Sequence, residues 1–178
     1  MKGILRAGAT VLLLLLLASC GIGFPLTRSA AEAFRLERLS EECGVELVHT
    51  RRLHGMLEDK DTHGGFLGDG ERLTRYRYDS FRYGDEDAGV LADALPTASR
   101  WKPLPFGKEL SEWIEGSGGL ELLPDEWPAK GFYCFFDRQS ESWDPEGEAS
   151  AFLRPSLNFT LFVYDTDTDV LTVYELDT

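Results

Sequence analysis

The sequence predicts an α+β domain: a largely antiparallel sheet, two or three short helices and a C-terminal β-hairpin. Three observations carry this reading. Leu157–Tyr164 sets Leu157, Phe159, Leu161 and Val163 against Asn158, Thr160, Phe162 and Tyr164, and Val170–Leu176 returns after the turn Asp165–Asp169. Phe132–Phe136 is a short apolar run with flanking turn residues, the length of a strand rather than a helix. Ala33, Leu36, Leu39 and Cys43 instead fall on one helical face.

The remaining elements follow in order. Ser29-Ala30-Ala31-Glu32 reads as a capping box opening the first helix, and Gly44 as its stop. Val45–Arg51 alternates as a strand. Leu53–Gly70 is a loop, and Leu73–Tyr78 a strand rich in Tyr and Thr. Asp85–Leu95 is a short helix with an acidic start, ended by Pro96. Trp101–Pro105 is an extended connection, and Lys108–Glu115 a helix closed by Gly116-Ser117-Gly118-Gly119. Phe132–Phe136 is apolar on both faces, which predicts a central strand. Gln139–Ser150 is a polar loop. Trp101, Trp113, Trp127 and Trp143 lie in connections and short helices, where core and loop-anchoring roles are the ordinary ones.

The chain begins differently. Lys2 and Arg6 precede an apolar stretch, Ala7–Ala18, with leucine at every position from Leu12 to Leu17; it closes on Leu17-Ala18-Ser19-Cys20. Basic, apolar and small residues in that order describe a secretory leader. A run of about a dozen residues falls short of the ~20 needed to span a bilayer as a helix. The small residues followed by cysteine resemble the lipobox of bacterial lipoproteins. The resemblance implies cleavage before Cys20, lipidation of its sulfur, and attachment to the extracytoplasmic face of a membrane. Two acyl chains suffice for stable anchoring. The organisation expected is residues 1–19 as signal peptide, 20–28 as lipidated cysteine and tether, and 29–178 as a single α+β domain.

The 178-residue chain carries 18 Lys+Arg against 31 Asp+Glu, a net charge of −13. Loss of residues 1–19 would remove Lys2 and Arg6 and no acid. Such an excess repels nucleic acid and anionic headgroups; it suits a cationic ligand or a basic envelope protein. With Cys20 lipidated, Cys43 and Cys134 remain. An exported pair can form a disulfide, while two separate buried thiols are equally ordinary.

Candidate chemistry concentrates in Asp59–Gly70. Its glycines suggest a phosphate cradle, but no Gly-Lys-Ser/Thr follows, and Glu58, Asp59, Asp61, Asp69 and Glu71 surround Lys60. A cation suits the field better. His49, His54 and His63, with Asp61 and Asp69, supply ligand types for a divalent metal, without a metal-binding spacing. His63 with Asp61 or Asp69 could also serve as an acid–base pair. No cofactor is predicted beyond that metal. Asp165-x-Asp167-x-Asp169 opens like a calcium loop, but Val170 replaces the required glycine and Leu176 the required acid, so a hairpin turn is expected.

Asp61–Gly70, Trp101–Pro105 and Phe159–Thr168 together resemble a group of small uncharacterised bacterial proteins. The resemblance implies that loop and hairpin share one domain, and implies no activity. The function expected is a membrane-anchored, non-enzymatic binding or envelope-interaction module. The alternatives are a metal-dependent or acid–base hydrolase centred on His63, and a protective lipoprotein that blocks a toxin or phage protein.

Overall fold

A computed structural model describes residues 23–47, 55–64, 68–78, 90–143 and 151–178. The chain divides into two compact units, residues 1–38 and 39–178. Helix α1 covers Gly23–Cys43. It therefore starts before Ser29, which is interior rather than a cap, and most of the expected tether is helical. Over those residues the rise falls from ~3.3–3.6 Å to ~1.5 Å each, so the reach shrinks by more than half. Among the described residues no helix is long and apolar enough to cross a membrane. Cys20 and the expected leader, residues 1–19, lie outside the described residues.

The second unit is built on a six-stranded antiparallel sheet in the order β1-β2-β6-β5-β4-β3. The strands are β1 (Met56–Asp61), β2 (Gly70–Arg77), β3 (Lys102–Pro103), β4 (Gly131–Asp137), β5 (Asn158–Asp165) and β6 (Val170–Asp177). Two short helices connect them, α2 (Val90–Ala94) and α3 (Lys108–Gly116). The α+β class with a C-terminal strand pair is thus the observed one.

The hairpin β5–β6 holds the two middle positions of the sheet, and its strands are buried on both faces. Phe132–Phe136 does form a strand within β4, but the two-residue β3 is its only outer neighbour, so β4 is next to an edge rather than central. It looks central in sequence because separate apolar layers cover its two faces. On one face Leu73, Tyr133, Phe135, Phe159, Leu161, Val163, Tyr174 and Leu176 pack with Leu110 of α3 and with Leu122. Phe135 and Phe159 lie 5.0 Å apart with their rings tilted by 32°, and Trp113 meets Phe159 edge-on at 5.1 Å. Each fully buried Phe or Leu contributes about 1.5–3 kcal/mol from removal of apolar area from water.

The opposite face carries Cys134, Phe162, Leu171 and Val173, all buried. Trp101 packs on Phe162. The last turn of α1 brings Leu39 and Cys43 into this unit's core. A helix end leaves its final carbonyls without intrahelical donors. Here the Trp101 indole donates to the Cys43 carbonyl at 3.0 Å, Arg100 donates to Glu41 and Glu42, and the Trp143 indole donates to Glu42. Gly44 closes the helix at φ +71°, its N–H bonded to Ser40. A side chain there would also strike Arg100, with Cδ 2.9 Å from the position a Cβ would take. Cys43 and Cys134 are free buried thiols, and no bridge joins them. Burial pushes the Cys43 thiol up to about 11 and raises Cys134 as well.

Four further sequence expectations are corrected. Val45–Leu47 is not a strand, because Ser40 Oγ accepts the Leu47 N–H at 2.9 Å and ties it back to the helix; 48–51 lie outside the described residues. The region read as loop contains β1, an exposed edge strand without apolar alternation that pairs antiparallel with β2. Asp59 takes a bidentate pair of 3.0 Å bonds from Arg72, and Glu58 stands opposite Arg75. Pro96 does not stop the turn after α2. It sits in the first turn of a 3-10 helix, Leu95–Thr97, where its missing N–H costs nothing. Finally, Lys102–Pro103, read as a connection, forms β3.

One buried carboxylate organises the first apolar face. Glu71 is 7% exposed and accepts the Glu121 N–H at 2.8 Å, the Leu122 N–H at 3.0 Å and the Tyr174 hydroxyl at 2.8 Å. Burial and the Glu71 carboxylate together raise the Tyr174 phenol, keeping it a donor. Glu71→Ala strands three donors in an apolar layer, so unfolding free energy should fall by about 2–4 kcal/mol. Glu71→Gln, which retains an acceptor oxygen, should cost less. Urea midpoints of both variants measure this, and equal loss in the two would contradict the account.

Candidate functional site

The loop between β1 and β2 carries the residues singled out by sequence. Thr62 and Glu71 close it: the Thr62 N–H donates to the Glu71 carbonyl at 2.8 Å, and the Glu71 N–H to the Thr62 hydroxyl at 2.8 Å. Gly70 is required by close approach, since a Cβ there would lie 2.5 Å from the Cα of His63. The loop glycine is thus a steric necessity of packing, not a phosphate cradle.

His63 stands at the centre of a charge network. Its Nδ1 lies 2.8 Å from Asp61 Oδ1, and its Nε2 lies 3.0 Å from Asp177 Oδ2. Its backbone N–H also donates to Asp61 at 2.9 Å. Asp177 is the last residue of β6, and its other oxygen is 2.9 Å from Arg138 Nη2. The same guanidinium nitrogen donates to the carbonyls of Phe159 and Leu176. Arg72 Nη1 lies 3.7 Å from Asp61 on the opposite side. Basic side chains and carboxylates therefore alternate along this end of the sheet: Arg72, Asp61, His63, Asp177, Arg138.

This arrangement limits the chemistry of His63. A catalytic histidine uses one nitrogen to hold an orienting carboxylate and turns the other to the reacting group. Asp177 occupies that second position here. A metal ligand equally needs one nitrogen turned to the ion. Both are engaged by the fold. Of the two aspartates the sequence offered, Asp61 contacts His63, while Asp69 is exposed and makes no ion pair among the described residues. Asp177 was missed because it is distant in sequence. Its only trace is its place at the end of an alternating strand. His49 and His54 lie outside the described residues. Among the described residues, no three His, Cys, Asp or Glu side chains form a group able to hold a metal ion.

Two carboxylates have displaced protonation. For Asp61, burial alone would raise the carboxyl, but the His63 N–H, its ring and Arg72 favour the charged form and hold it below the usual value. Asp137 behaves alike. Burial opposes its charge, and Arg154 at 2.7 Å, Ser140 and the Gln139 N–H overcome it.

The hairpin turn is self-contained. Asp165 accepts the Asp167 N–H at 2.8 Å and the Thr168 hydroxyl at 2.7 Å, and Asp169 takes the left-handed conformation at φ +54°. Its aspartates bond backbone and hydroxyls, as a turn requires.

Two surface concavities flank the segment that Glu71 pins. A groove of about 460 Å³ is lined by Glu58, Lys60 and Arg75 from the sheet and by Glu121, Asp125 and Glu126. A smaller cleft of about 250 Å³ includes Phe106, Trp127 and Pro128. Comparison with family models, curated proteins and solved structures finds no match for the chain.

The lowered Asp137 carboxyl links stability to pH. Its folded value lies below its ordinary 3.8, so its contribution is present above that pH and lost as pH falls through the folded value. Asp137→Asn should flatten the loss of stability below about pH 4, seen as a smaller shift in urea midpoint between pH 5 and pH 3. An unchanged slope would contradict the assignment. His63→Ala should cost only about 0.5–1.5 kcal/mol at neutral pH, because the ring is partly solvated.

Proposed function

We propose that this chain is an extracytoplasmic lipoprotein, anchored through Cys20, whose folded part is a non-enzymatic binding or envelope-interaction module. The observation that carries the non-enzymatic half is the double engagement of His63. The residue with the strongest claim to acid–base or metal chemistry spends both ring nitrogens on Asp61 and Asp177. It works as a strut between the end of β1 and the end of β6. The anchored half rests on the leader and on Leu17-Ala18-Ser19-Cys20, which has the pattern of a lipidation site.

A module of this kind offers surfaces rather than a reaction centre. The net charge of −13 favours cationic ligands and basic partners over nucleic acid.

Expression in a bacterial host with radiolabelled palmitate tests the anchor. The wild-type chain should take up label and sediment with membranes. Cys20→Ala should take up none and should lose membrane retention after leader cleavage. Label incorporation independent of Cys20, or an uncut unlabelled chain in the cytosol, would overturn the reading. Addition of zinc or calcium to the purified chain should leave its melting temperature unchanged. A saturable rise in melting temperature that His63→Ala abolishes would restore the metal-dependent alternative.

A further inference from the structure

The cleft of about 250 Å³ is lined by Leu104, Phe106, Ile114, Trp127 and Pro128, with the carboxylate-bearing Glu115 among its walls. Drug-sized ligand sites run to about 300–1,000 Å³, so a guest here is small. Its lining is apolar and aromatic apart from Glu115 and Ser111. Phe106 and Trp127 meet at 5.4 Å with an interplanar angle of 86°, forming a right-angled aromatic corner. Tyr133 extends the cluster, 5.1 Å from Phe106 at 75°.

Three features set this corner apart from ordinary core packing. The indole N–H of Trp127 is buried with no hydrogen-bond partner among the described residues. The ring itself is half-buried and forms part of the cleft wall. The second feature is Glu115, an exposed carboxylate in the cleft wall that makes no ion pair among the described residues. The third is that the aromatic cluster already receives one cation: the Lys102 ammonium lies 5.7 Å from the Tyr133 ring centroid. An aromatic corner beside a free carboxylate, in a chain of net charge −13, matches an organic cation with an apolar skin.

We propose that this cleft binds a small alkylated ammonium cation, its methyl groups against Phe106 and Trp127 and its charge facing Glu115. This supplies the binding module with a ligand and in that sense rests on the non-enzymatic reading; it does not depend on lipidation. Such a cation exists free in solution or as a choline-type lipid headgroup, and charge separates the two sources. A free cation carries net positive charge, whereas the headgroup adds a phosphate that the acidic surface disfavours.

Calorimetric titration of the full chain in a sugar-based detergent tests the proposal, with choline as probe. Choline should bind saturably. Its neutral carbon isostere, 3,3-dimethyl-1-butanol, should bind about threefold to thirtyfold more weakly, because shape is retained and charge is lost. Glu115→Gln should weaken choline by a similar factor and leave the isostere unaffected. Trp127→Leu should abolish saturable binding. Where that variant fails to fold by circular dichroism, Glu115→Gln and the isostere decide. Glycerophosphocholine binding more weakly than choline assigns the soluble cation, and tighter binding assigns the headgroup. No saturable choline heat, equal affinity for choline and the isostere, or an unchanged affinity in Glu115→Gln would overturn the proposal. None of these outcomes bears on palmitate labelling of Cys20, so failure here leaves the anchoring reading standing.

Discussion

Glu71 is a charged group inside an apolar layer, and the local architecture depends on how it is satisfied. It belongs to β2, points to the same face as Leu73, and receives donors from two directions: the Tyr174 hydroxyl of β6 and two backbone N–H groups at 121 and 122. A buried carboxylate without donors is prohibitively costly, while one with three is bound firmly to whatever supplies them. The irregular segment after α3 has no strand or long helix to fix it. It is held because its backbone N–H groups complete this carboxylate, and Leu122 then enters the core. Both surface concavities include residues of the segment so fixed, with Glu121 to Glu126 in one and Trp127 and Pro128 in the other.

The sheet distributes its burial in a way that follows from its order. The strands of the C-terminal hairpin are buried along almost their whole length and take the two middle positions, where both faces are covered. Strand β1 is the reverse case. It is an edge, it is charged, and beside its antiparallel backbone ladder with β2 it carries the cross-strand pairs Asp59–Arg72 and Glu58–Arg75. Individual exposed pairs of this kind contribute little stability, but a charged edge resists pairing with other chains. The opposite margin, next to β4, is covered for two residues by β3.

The charge network around His63 extends this logic to the end of the sheet. Asp61 and Asp177 terminate β1 and β6, two strands separated by β2. Carboxylates brought to one end of a sheet repel unless donors stand between them, and the His63 ring, Arg72 and Arg138 take those places. The histidine is therefore explained by where the strands end. Its prominence in the sequence, beside aspartates and glycines, arose from a tight loop and an electrostatic need.

The sequence by itself determined the local periods: the helical face of Leu36, Leu39 and Cys43, the alternation of the C-terminal hairpin, the short apolar β4, and the aspartate-rich turn that bonds itself. Those signals are carried by neighbours in the chain, so they are legible without a fold. It also determined the leader pattern and the acidic balance, which need no fold to be read. Only the tertiary structure decided that β1 is a strand, since its partners come from β2 and not from its own alternation. It alone decided that Asp177 rather than Asp69 completes the surroundings of His63, and that Glu71 holds residues 121 and 122. In each of these cases the energy lies between residues far apart in the chain, and hydrogen bonds and ion pairs at that range leave no periodic mark on the sequence.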